Sequence, residues 1–153
     1  MDYTPGTFTD SQHPHITTHA HELALTILFE SGIQHMPDRP ETYRNLPAEV
    51  RSLLSGLPSA WDETCLLSGY PGKSVVLARK KAGKWYLAGI NGTDEPQHLT
   101  FSLDRLGLPA ASKALVITDG PSQTEFSIQS EASLSSSQSI LCQPRGGFVI
   151  VVE

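Results

Sequence analysis

Hydrophobic and polar positions divide this chain into two stretches of different period. In residues 17–32 apolar side chains recur three and four apart, the spacing of a helix. Leu23, Ala24, Ile27 and Leu28 share one side, while Leu25, Phe29 and Ile33 share another. A helix apolar on two sides expects a neighbour on each. Thr17 or Thr18 supplies the N-cap, Glu22 lies near the first turns where the helix dipole favours a carboxylate, and Gly32 stops the run. A shorter helix is expected from Ala48 to Leu54, opened by Pro47 and closed by Ser55-Gly56. Between the two, Pro37, Pro40 and Tyr43 predict a rigid connector.

After Trp61 the pattern becomes short alternating runs separated by turn residues, which predicts strands at 62–68, 74–81, 84–91, 97–103, 112–119, 125–130, 137–142 and 147–152. The plainest hairpin joins Val75–Lys80 to Trp85–Ile90 across a turn that contains Gly83. Asn91-Gly92 and Asp119-Gly120-Pro121 mark later turns. Strands about ten residues apart predict an antiparallel meander folded into a β-sandwich. The serine-rich residues 122–139 read as a solvated edge strand and loop.

Composition narrows the function classes. Eleven basic against sixteen acidic residues give a net charge of −5, which argues against nucleic acid and anionic membrane surfaces as partners. The chain has no apolar run of membrane-spanning length, and residues 1–15 lack the basic and apolar regions of a secretory signal. Cys65 and Cys142 read as free thiols rather than a disulfide.

Candidate chemistry is thin. Five histidines fall between positions 13 and 35: His13, His15, His19, His21 and His35. His15 and His19 are four apart, but no HExxH is present, and Pro14 with the cap at Thr17-Thr18 puts His13 and His15 outside the helix. Capping and surface roles are expected for the group, with His19 or His21 facing a sugar pocket as the alternative. Glycosidic acid–base chemistry needs two carboxylates ~5–10 Å apart across the substrate. Asp2, Glu22, Glu30, Asp38, Glu41, Glu49, Asp62 and Glu63 offer no convincing pair, so structural or solvated roles are expected. No GxSxG occurs, and Gly69-Tyr70-Pro71-Gly72 and Gly146-Gly147 read as turns rather than phosphate cradles. Trp61, Tyr70, Trp85, Tyr86 and Phe148 are expected chiefly in the core, a sugar-stacking platform being the alternative.

The opening residues Met1-Asp2-Tyr3-Thr4-Pro5-Gly6-Thr7-Phe8 form a compact turn motif, with Pro5 fixing φ and Gly6 allowing a positive φ. Such a motif suits the end of a barrel strand at the rim of an active site. Together with Thr17–Leu25, Phe29–His35, Pro40–Tyr43, Pro58–Thr64, Pro71-Gly72, Val76–Lys80, Trp85–Gly92 and Gly146–Phe148, it resembles, in order, the C-terminal part of glycoside hydrolase family 97. That resemblance implies a mainly β fold: an antiparallel β-sandwich at 61–153, preceded at 1–60 by the last strand-end loop and helices of a (β/α)8 barrel. It implies a parent that hydrolyses α-glucosides or α-galactosides and is periplasmic or secreted. The parent's catalytic carboxylates and calcium-binding glutamates would lie upstream of Asp2, leaving no cofactor in this chain. Asp2 and Tyr3 are then the nearest residues to the substrate-pocket rim, and Met1 is expected to mark where the chain is cut from its barrel. By itself the chain is expected to be inactive, with self-association possible through residues 15–35. A stand-alone carbohydrate-binding or oligomerisation module is the rival reading.

Overall fold

The computed structural model describes residues 3–109 and 112–152. Three helices precede eight strands: α1 (His19–Leu28), α2 (Pro40–Asn45), α3 (Ala48–Ser55), then β1 (Glu63–Tyr70), β2 (Ser74–Lys81), β3 (Lys84–Asn91), β4 (Gln97–Ser102), β5 (Lys113–Asp119), β6 (Phe126–Ser133), β7 (Ser137–Cys142) and β8 (Gly147–Val152). The strands form an antiparallel six-stranded sheet ordered β1-β2-β3-β8-β5-β6 and a two-stranded sheet, β4-β7.

This arrangement bears out the sandwich and corrects the meander. The chain leaves the main sheet after β3, returns as β5 and β6, leaves again as β7, and comes back as β8 between β3 and β5. Alternation explains how β8 serves both faces. Phe148, Ile150 and Val152 join Trp85, Leu87 and Phe101 in a core under β4-β7, where Phe101 and Phe148 stack at 5.5 Å. Val149 and Val151 turn the other way, to Tyr86, Ala88 and Ile117 beneath α1. Every residue of β8 is buried. The serine-rich stretch supplies β6 at the exposed edge of the main sheet, as its composition implies.

Helix α1 lies on this second face. Leu23, Ala24 and Ile27 are fully buried against the sheet. Each buried Leu or Ile side chain contributes about 1.5–3 kcal/mol. The other apolar side is open: Phe29 is 46% and Ile33 57% exposed, and Leu25 is half-buried. The helix stops at Leu28, before the expected Gly32, because Phe29 takes an extended conformation. Its ring then stacks on Tyr3 at 4.4 Å. The predicted connector contains a short helix, α2, with Pro40 in its first turn where a missing N–H costs nothing. Cys65 and Cys142 are both free, half-buried and buried respectively.

Candidate functional site at the helix–sandwich junction

The opening loop is held from three directions. Tyr3 forms a parallel bridge with Gln34, its N–H donating to the Ile33 carbonyl at 3.3 Å and its carbonyl accepting from His35 N–H at 2.8 Å. This isolated parallel bridge ties the segment before α1 to the segment after it. Gly6 then reverses the chain at φ +80°, as its place after Pro5 predicts. The buried Glu22 carboxylate reaches up from the first turn of α1 and accepts from Gly6 N–H at 3.0 Å and Thr7 N–H at 3.4 Å. Asp38 accepts from Phe8 N–H (2.8 Å), Arg39 N–H (2.8 Å) and the Thr9 hydroxyl (2.6 Å). The Tyr43 hydroxyl closes the loop, donating to the Gly6 carbonyl at 2.9 Å and accepting from Asp38 N–H at 3.1 Å. Burial would raise the Asp38 pKa, but these donors outweigh it and hold the carboxyl below its ordinary range.

Tyr3, the expected rim residue, sits on this loop beside Glu22. Burial, then the Glu22 charge, holds its phenol above the ordinary value, so it presents a neutral hydroxyl rather than a base. Asp2, its predicted companion, lies outside the described residues.

The N-terminus of α1 is plugged into the sandwich. Thr18 Oγ1 caps His21 N–H at 3.1 Å and donates to Asp119 at the end of β5 at 2.5 Å. Asp119 also accepts from Gln143 N–H (2.8 Å) and Gly147 N–H (3.2 Å). The Thr18 and His19 N–H groups, which a helix start leaves without intrahelical partners, donate to the carbonyls of Arg145 (3.1 Å) and Gln123 (2.8 Å). His21 Nδ1 donates to the Gly146 carbonyl at 3.2 Å. Gly147 permits the contact: a Cβ there would stand 2.8 Å from His21 Cα.

The histidines divide. His13 and His35 are exposed. His15 pairs with Asp10 through its ring and its N–H, while His19 Nε2 stands 3.9 Å from the other Asp10 oxygen. A carboxylate therefore lies between the two imidazoles that sequence spacing could have given a shared metal. Burial lowers the pKa of both His19 and His21, with Asp10 opposing it at His19 and the Gly146 carbonyl at His21. Among the described residues there is no group of three or more His, Cys, Asp or Glu side chains that could hold a metal ion.

The other carboxylates and aromatics have structural places. Glu30, Glu41, Asp62 and Glu63 make ion pairs with Arg79, Arg44, Lys81 and Lys80. Glu49 is half-buried on α3. Trp85, Tyr86 and Phe148 are buried. Trp61 packs edge-on to Tyr86 at 5.2 Å, whereas Tyr70 is 66% exposed beneath Lys73, so the five aromatics form no common platform. Asp10, Arg79 and Asp119 carry much of the junction yet show in the sequence only as a loop residue, a strand residue and a turn residue.

Fold and junction define an antiparallel β-sandwich to which a preceding helical segment is bonded through the N-terminus of α1. The family model described as glycosyl-hydrolase 97 C-terminal, oligomerisation, matches residues 60–153. The chain belongs to glycoside hydrolase family 97, and corresponds to its C-terminal part. It is similar to a probable retaining alpha-galactosidase of Streptomyces bingchenggensis, 48% identical over 89 residues, which cover 58% of this chain and 14% of that protein. Similarity to the retaining alpha-galactosidase of Bacteroides thetaiotaomicron is 33% over 100 residues, 59% of this chain and 15% of that protein. A family 97 enzyme of Pseudoalteromonas sp. strain K8, solved with panose, superposes on 100% of this chain and 26% of its own with a TM-score of 0.87 at 25% identity.

Proposed function

We propose that this chain is the assembly and rim-support unit of an α-galactoside-hydrolysing family 97 enzyme. The observation that carries the reading is the bonded path from sandwich to loop: Asp119 to Thr18, along α1 to Glu22, and from Glu22 to Gly6 and Thr7. Through it the sheet fixes the position of Tyr3, next to the substrate pocket by family resemblance. The galactoside preference rests on the 48% identical Streptomyces relative. General acid, nucleophile or base, and calcium ligands belong on this reading to parts of the enzyme outside this chain.

Self-association is the second role, supported by the oligomerisation description of the matched family model. Residues 15–35 contribute to it only through the free side of α1 and the segment after it, with Phe29 and Ile33, because Leu23, Ile27 and Leu28 are already buried within the chain.

The test is a graft. Residues 3–152 replace the corresponding C-terminal part of the Streptomyces relative, and hydrolysis of nitrophenyl α-galactoside is measured. The hybrid is expected to be active and the isolated chain inactive. Turnover by the isolated chain, abolished by changing one of its own carboxylates, overturns the proposal.

A further inference from the structure

Beside the opening loop lies an open groove of about 850 Å³, bordered by the loop, α2 and the β5–β6 turn. Three rings make its inner wall: Phe8 meets His19 edge-on at 5.3 Å, His19 lies 6.0 Å from Phe126, and Phe126 lies 6.2 Å from Phe8. Phe8 and His19 are buried, so half-buried Phe126 offers the accessible ring. Both ring nitrogens of His19 are shielded, and the histidine shapes the wall without reaching into the opening. At the mouth stand Arg39, Asn45 and Glu125, all exposed. Their side chains make no hydrogen bond or ion pair with another described residue. The groove thus combines an apolar ring with an unused cation, an unused amide and an unused carboxylate.

We propose that this groove binds a neutral sugar, a pyranose whose C–H face lies on Phe126 while Arg39, Asn45 and Glu125 meet its hydroxyls. Its volume falls in the range of small-ligand sites. A pyranose has what the lining asks for, one apolar face and a rim of groups that both donate and accept. An anion is disfavoured because Glu41 and Glu125 stand at the same mouth as Arg39, and a cation because Arg39 is among them. The choice of sugar rests on the glycosidase reading above. The site itself is built wholly from this chain.

The experiment is a titration of the ¹⁵N-labelled chain with galactose, melibiose and maltose, followed by amide chemical shifts. Saturable shifts are expected at Thr9, Thr42, Asn45, Thr124 and Phe126, with millimolar affinity. The double variant Arg39→Ala, Asn45→Ala changes two exposed side chains and should keep the parent melting temperature. It should weaken binding about tenfold, as the loss of two modest hydrogen bonds implies. No saturable shift with any sugar, shifts confined elsewhere, or full affinity in the double variant each overturn the proposal. A negative titration leaves the graft experiment untouched, and an inactive graft leaves a positive titration standing, so the two readings fail separately.

Discussion

Arg79 on β2 donates from Nη2 to the carbonyl of Leu28 at 2.9 Å, closing α1 from a strand 51 residues further along the chain. The last turn of α1 carries no cation of its own, and Arg79 supplies one from across the layer boundary. Its guanidinium also lies over Trp61 at 5.9 Å. Arg79→Met keeps most of the stem packing and removes the charged hydrogen bond, and is expected to cost about 1.5–3 kcal/mol. Urea denaturation would read this as a lower midpoint at constant slope, with faster amide exchange at the end of α1. Glu30→Ala, which removes a 75% exposed partner, should stay within about 0.5 kcal/mol. Equal losses in the two variants would contradict the capping role.

Glu22 gives a paired comparison. Glu22→Ala strands the buried Gly6 N–H and is expected to cost about 1–3 kcal/mol, whereas Glu22→Gln keeps an acceptor and should cost less. In both variants the loss should appear first as faster amide exchange at Gly6 and Thr7. Protection unchanged in Glu22→Ala would remove Glu22 from the path between sandwich and loop.

Acid should destabilise the fold in two stages. His19 and His21 have native pKa values below the ordinary 6.5, so the unfolded chain binds protons that the native one refuses. Their contribution is complete above 6.5 and is lost as pH falls from there toward the native values. Asp10 and Asp38 also sit below their ordinary 3.8; at Asp10 burial is outweighed by the hydrogen bonds from His15. Their contribution is present above 3.8 and disappears as pH falls through the native values. Urea midpoints should therefore drop between about pH 7.5 and about pH 5.5, and again below about pH 4. His19→Phe with His21→Gln should flatten the first drop only. A flat wild-type profile above pH 5 would show that neither histidine is held neutral.

The cysteines should react unequally. Burial, with a smaller contribution from the Asp119 charge, pushes the Cys142 thiol up to about 12, so little thiolate is present near neutrality. Cys65 on β1 is half-buried. A thiol reagent on the native chain is expected to modify Cys65 and to reach Cys142 only after denaturant is added. Modification of Cys142 at the native rate of Cys65 would mean that the face under β4-β7 opens readily.

Local features were legible and long-range ones were not. The eight strands and α3 follow from alternation, glycine turns and Pro47, all of which act over a few residues. That β4 and β7 pair only with each other is set by packing across the sandwich, and alternation along either strand is the same wherever it pairs. The central place of β8 did have a signal, since Phe148–Val152 is apolar throughout, the mark of a strand buried on both faces. In the site, Gly6 was readable because its turn demands a positive φ. Asp119 was not, because an aspartate before Gly-Pro reads as turn chemistry until Thr18 and Gly147 are brought to it.

The position of β8 also bears on biosynthesis. Three strands, β1–β3, and a hairpin, β5–β6, form the two halves of the main sheet, and β8, which joins them, is synthesised after both. Loss of everything after Gln143 would therefore remove the middle of the sheet rather than its margin and leave the facing edges of β3 and β5 without their partner.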